Sequence, residues 1–197
     1  MNLHQPLSDA AARMAAVVRA VDPAQLSAAT PCTEYDVRGL VNHLLFWAPI
    51  IEGVGLRKTA VIDREAEGRD DHTGGDWQAE YLGWLDRIDR AWADEAAWEG
   101  TATLGPATVP AAVIGEKTLV ELVVHGWDLS RATGQEFRCA DAVAEHANRI
   151  ILATADETRA MRMFGPPVDV PGSASALDRA LACSGRDPRW TVAPVAR

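Results

Sequence analysis

Lysine is almost missing from this chain. Only Lys58 and Lys117 occur among its 197 residues, and nowhere do lysines and arginines cluster. With a net charge of −9 and a pI near 5.0, the chain lacks the basic stripe that holds phosphate backbones or anionic lipid. Nucleic acid and membrane are therefore not expected partners. Cysteine is scarce too. Cys32, Cys139 and Cys183 are far apart, odd in number and never spaced as CxxC. This excludes a thiolate zinc site and a thioredoxin-like motif. Three small, reduced, apolar residues are expected, with a reactive thiol at one of them as the lesser reading. The longest apolar run, Leu44–Ile51, falls far short of the ~18 residues of a membrane span. The N-terminus lacks a basic segment followed by an apolar core, so no signal peptide is expected. The setting read from these absences is cytoplasmic.

What is present suits one globular domain. Apolar residues make up 48% of the chain and charged residues 24%, a balance that builds a real core at this length. Five stretches carry helical periodicity. The first spans about Pro6 to Val21, with Ser8 or Asp9 as the cap and a stripe of Ala10, Met14, Val17, Val18 and Val21. The second spans about Glu34 to Glu52, with Thr33 as N-cap and Asp36 in a capping-box position; Pro49 should kink or end it. Residues 53–75 are polar and read as a loop or a short surface helix, long enough to suggest a functional role. The third helix runs from Asp76 to about Ala97. Its stripe of Trp77, Tyr81, Trp84, Leu85, Ile88 and Trp92 reads as a core face, with one or two rings lining a pocket as the lesser reading. Trp98 to Pro110 reads as a loop or short hairpin. The fourth helix runs from about Ala111 to Thr133 and stops at Gly134. The fifth runs from about Asp141 to Met163, and a short helix is expected around Ala176–Cys183. Long helices without strand alternation predict an all-α helix bundle.

The fourth helix carries the chemistry. At ~100° per residue, Val120, Val123, Val124 and Trp127 cover one side and Leu122 and Leu129 another. Glu121, His125 and Asp128 share one narrow polar face, at spacings of four and three. A helix apolar nearly all round is buried, and a buried carboxylate and imidazole need partners. A metal ion is one way to satisfy them, since zinc takes both donor types. The plainer alternative is a hydrogen-bonded Glu121–His125 pair, with Asp128 paired to Arg131 or Arg90. A third ligand has to come from another helix. His4 lies at the N-terminus and His72 in the polar stretch, which leaves His43 on the second helix or His146 on the fifth, with spacing leaning toward His43.

Two stretches resemble a known family. Thr30-Pro-Cys-Thr-Glu-Tyr-Asp-Val-Arg-Gly-Leu-Val-Asn-His43-Leu resembles the first signature of the mycothiol-dependent maleylpyruvate isomerase N-terminal family, of the DinB-like superfamily of metal-binding four-helix bundles. Glu121-Leu-Val-Val-His125-Gly-Trp-Asp128-Leu-Ser-Arg-Ala-Thr-Gly134 resembles the second. Phe164-Gly-Pro-Pro-Val-Asp-Val-Pro and Ser184-Gly-Arg-Asp-Pro resemble the tail of its short members. The resemblance implies a DinB-like four-helix bundle over residues 1–165 with a C-terminal tail, 166–197, packed on it. Only about thirty residues follow the bundle, so a short form without the family's C-terminal domain is expected.

The resemblance also implies that His43, Glu121 and His125 hold one divalent metal, zinc first and nickel second, with one coordination position open. Asp128 then orients His125 or accepts a proton. The implied cosubstrate is mycothiol, a small thiol that a metal converts to thiolate, and the partner is a small electrophile, giving isomerisation or S-transfer. Two other readings stay open: a zinc hydrolase with Asp128 as base, and a non-catalytic metal or ligand binder. The apolar helix faces leave room for a homodimer.

Overall fold

Two of the long helices begin where an aspartate carboxylate takes up a free amide, and the other three have no side-chain cap. The computed structural model describes residues 3–58, 64–104 and 107–192. Helix α1 (His4–Arg19) starts two residues before the expected point and has no side-chain cap. Pro6 falls in its first turn, where a missing N–H costs no hydrogen bond, so Ser8 and Asp9 lie inside the helix. In α2 (Val37–Gly55) the cap is Asp36, whose carboxylate accepts from the Gly39 amide at 2.7 Å, in place of Thr33. This helix continues through Pro49 to Gly55. Pro49 is exposed, while Ala48 and Val54 on either side are buried in the core and carry the helix past it.

The polar stretch holds a six-residue helix, α3 (Arg64–Arg69). Asp76 caps α4 (Trp77–Ala91), and a separate 3-10 turn, Glu95–Trp98, follows where one continuous helix was expected. Strands β1 (Thr101–Leu104) and β2 (Ala107–Pro110) form the short antiparallel hairpin. Helices α5 (Ala111–Ala132), α6 (Asp141–Ala160) and α7 (Ala176–Cys183) complete the described chain.

Helices α1 and α2 each pack against both α4 and α5, closing a four-helix ring. Helix α6 packs on α5 from outside, and α7 on α6. Enclosed by α1, α2 and α6, helix α5 is apolar nearly all round; Val123 and Leu129 have no exposed surface. Each such side chain contributes ~1.5–3 kcal/mol by leaving water. The aromatic stripe of α4 is core at Trp77, Tyr81 and Ile88, and Trp92 just past its end is fully buried. None of the described helices is long and apolar enough to cross a membrane.

The residues after α7 return to the bundle. Gly185 has φ +88, and a Cβ there would lie 2.7 Å from Gly165 Cα. Two backbones therefore touch at a point where only glycine fits, and this contact delivers Arg186 to the interior. Gly185→Ala is expected to cost about 2–4 kcal/mol, the sum of left-handed strain and overpacking. Gly172→Ala, with nothing within 4 Å of its Cβ, should stay within about 0.5 kcal/mol of the parent. Denaturant unfolding of the two variants checks the difference.

Candidate metal centre

Helices α2 and α5 are neighbours in the ring, and their facing sides bring three donors together. The side chains of His43 (α2), Glu121 and His125 (α5) offer ligand atoms that all lie within 4.8 Å of one another. Glu121 Oε2 is 3.4 Å from His43 Nε2 and 3.0 Å from His125 Nε2. The imidazole planes meet at 71°, so the two Nε2 atoms converge on the carboxylate from different directions.

Each imidazole is held by a second carboxylate on its other nitrogen. His125 Nδ1 lies 3.0 Å from Asp128 Oδ2, one turn further along α5. Asp128 is fully buried, and its countercharge is Arg186 from the tail, whose Nη2 donates to Oδ2 at 3.0 Å. His43 Nδ1 lies 2.6 Å from Glu67 Oε1 on α3. The Tyr35 hydroxyl stands beside both, 3.4 Å from His43 Nδ1 and 3.5 Å from Glu67 Oε1.

Electrostatics follow this geometry. Burial works against charge on His43, but hydrogen bonds to Glu121 and Glu67 outweigh it and raise its pKa to about 9. His125 is also raised: burial opposes, and Glu121 and Asp128 prevail. Burial would raise Glu121, but the two histidines hold it well below the usual carboxylate range. Tyr81, buried on α4, has its pKa raised by desolvation and then by the Glu121 charge.

The donor set fits a divalent ion. Two imidazole nitrogens and one carboxylate oxygen are what zinc takes when it keeps one position open. Ligands at ~2.0–2.1 Å around a tetrahedral ion lie about 3.3 Å apart, close to the 3.0 and 3.4 Å found here. The Glu121 side chain is 30% exposed, so this donor borders solvent. A second group, Cys32, His125 and Asp128, also lies within 4.8 Å, but the Arg186 guanidinium already supplies the positive charge beside Asp128. Burial raises the Cys32 thiol's pKa, in keeping with an inert, reduced residue.

The other histidines lie elsewhere. His4 begins α1 and pairs with Asp89 at 2.9 Å. His146, on α6, has its pKa lowered by burial and by Arg149, and joins neither donor group among the described residues. The partners anticipated for Asp128 are engaged otherwise: Arg131 donates to the Trp190 carbonyl, and Arg90 pairs with Asp86. Glu67, Tyr35 and Arg186 were not anticipated as parts of the site. A buried aspartate needs a countercharge, but Arg131 on the same helix offered a nearer candidate than Arg186. Glu67 stood in an alternating charge run that looks like any solvated surface.

Comparison with solved structures agrees with this architecture. A crystal structure of a mycothiol-dependent maleylpyruvate isomerase matches with TM-score 0.65 and 16% identity, over 93% of this chain and 89% of that one. A histidine-to-alanine variant of such an isomerase matches with TM-score 0.60 and 17% identity, over 94% and 82%. At these identities the likeness is one of fold, and it takes in the C-terminal tail as well as the bundle. No curated protein matches in sequence. The family model described as the mycothiol maleylpyruvate isomerase N-terminal domain matches residues 7–130, well over half of the chain and all three donor residues, and the chain belongs to that family.

Proposed function

We propose that this protein binds one divalent metal, zinc in the first instance, through His43 Nε2, the Glu121 carboxylate and His125 Nε2, and that it uses mycothiol to isomerise, or transfer the thiol to, a small electrophile. The observation that carries this reading is the convergence of three donors from α2 and α5 on one partly exposed point. Family membership supports the thiol cosubstrate. A metal held there supplies the positive charge that favours the thiolate form of a bound thiol.

The chain's own groups have distinct parts in this reading. Glu121 balances the charge of the ion and is the most exposed of the three ligands. Asp128 accepts the His125 Nδ1 proton and so presents Nε2 to the site. Tied to Arg186 and fully buried, Asp128 is placed to orient His125, which speaks against its serving as the base of a hydrolase.

Metal analysis of the purified protein should find about one divalent ion per chain. His43→Ala and His125→Ala should lose it, and His146→Ala should keep it. Titrating the cobalt-substituted protein with mycothiol should produce a near-ultraviolet thiolate-to-metal charge-transfer band. Unchanged metal content in His43→Ala refutes the ligand set, and absence of the band in metal-loaded protein refutes the thiol.

A further inference from the structure

We infer that Glu67 is a positioning residue that tunes metal affinity by fixing His43, an inference that rests on the ligand set proposed above. The contact is short, 2.6 Å from Glu67 Oε1 to His43 Nδ1, and both side chains are mostly buried, 17% and 22% exposed. An imidazole that gives its Nδ1 proton to a carboxylate keeps its lone pair on Nε2, the nitrogen turned to Glu121. Glu67 thus does for His43 what Asp128 does for His125, and both ligating histidines are fixed from behind by acids of opposite origin. One is on the same helix, and the other is on a short helix outside the bundle.

Glu67 is itself held in register by α2. Asn42, next to His43, donates from Nδ2 to the Glu67 carbonyl at 2.9 Å. Its Oδ1 accepts the His72 amide at 2.6 Å. Arg38, one turn earlier, bonds to Thr73 Oγ1 at 2.5 Å and reaches Asp71 at 3.4 Å. Three residues of one helix, Arg38, Asn42 and His43, therefore bind the segment 67–73. Residues 67–73 of the polar stretch are thus held against the helix that carries His43.

The test is competition between the protein and a chelator for zinc alone. Glu67→Ala should weaken zinc binding about 10–100-fold. Glu67→Gln, whose amide oxygen can still accept the Nδ1 proton, should weaken it less. Long-range proton–nitrogen NMR of the loaded protein should show His43 protonated at Nδ1 in the parent and in Glu67→Gln, with that signal broadened or lost in Glu67→Ala. Arg38→Ala loosens the same segment without touching His43 and should change affinity less than about threefold. If Glu67→Ala leaves affinity and the His43 signal unchanged while His43→Ala abolishes binding, the inference fails and the ligand set stands. If Arg38→Ala weakens binding as much as Glu67→Ala, Glu67 acts only through the fold and the inference is overturned. If His43→Ala itself has no effect, both fail together.

Discussion

Asp128→Ala is expected to destabilise the protein by about 3–5 kcal/mol, because it leaves the Arg186 guanidinium buried without its countercharge. Asp128 has no exposed surface and Arg186 only 7%. Among the described residues, the remaining acceptor for the guanidinium is the Ser184 carbonyl, at 3.3 Å from Nη1. For a domain of this size the loss corresponds to a fall in melting temperature on the order of 10 °C. Arg186→Met in the Asp128→Ala background should restore most of that stability, since removing both charges is far cheaper than orphaning one. A double-mutant cycle isolates the coupling. Metal affinity should behave differently. His125 loses the acceptor for its Nδ1 proton in the single and the double variant alike, so both should bind zinc about 10–100-fold more weakly. Stability recovered without affinity identifies Asp128 as the residue that orients His125. Stability unchanged in Asp128→Ala would show that the ion pair does not hold the tail to α5.

The parts of this site that lie on one helix were legible from spacing, and those that lie across elements were not. Glu121, His125 and Asp128 share a face of α5 because four and three residues make about one turn, whatever the rest of the chain does. The burial of His125 and Asp128 was equally legible, since the same helix is apolar on its other sides. His43 is different. Its position on α2 matches Leu40 and Trp47 as well as a ligand, and separating it from His146 needed the family signature. The ring geometry supplies the physical reason: α2 faces α5 from within the bundle, whereas α6 packs on α5 from outside.

Arg186 and Glu67 were hidden for separate reasons. Arg186 is 58 residues from Asp128, and its approach depends on the Gly165–Gly185 contact, which no helical period encodes. Glu67 sits in a six-residue helix, too short to display a face and too polar to look buried. Helix ends shifted wherever local chemistry competed with pattern. Pro6 was admitted into a first turn, Asp36 displaced Thr33 as cap, and core packing carried α2 past Pro49.

Across the window from about pH 6.5 to 9, the stability of the metal-free protein should fall while its affinity for zinc rises. His43 moves from an ordinary value of 6.5 to about 9, and His125 also moves up. A raised pKa means that the folded chain holds the proton more tightly than the unfolded chain. The resulting stability is complete below the unfolded value and is lost as pH climbs through the folded one. For His43 this contribution is on the order of 3 kcal/mol. Zinc requires neutral imidazole, so each histidine that is protonated beforehand must release its proton, and affinity should gain about tenfold per pH unit for each proton released. Melting temperatures of the metal-free and zinc-loaded protein, taken in half-unit steps across this window, should diverge, with the zinc-induced increment growing as pH rises. A flat metal-free profile together with pH-independent affinity would mean that both imidazoles are already neutral and that Glu67 and Glu121 do not hold their protons. The opposing trends share one cause. Without metal, protonated His43 and His125 bridge carboxylates and tie α2 to α5 through Glu121; on the proposed ligand set the ion would make the same connection. On the proposed ligand set, protons and zinc compete for the same three side chains, and either one closes that seam of the bundle.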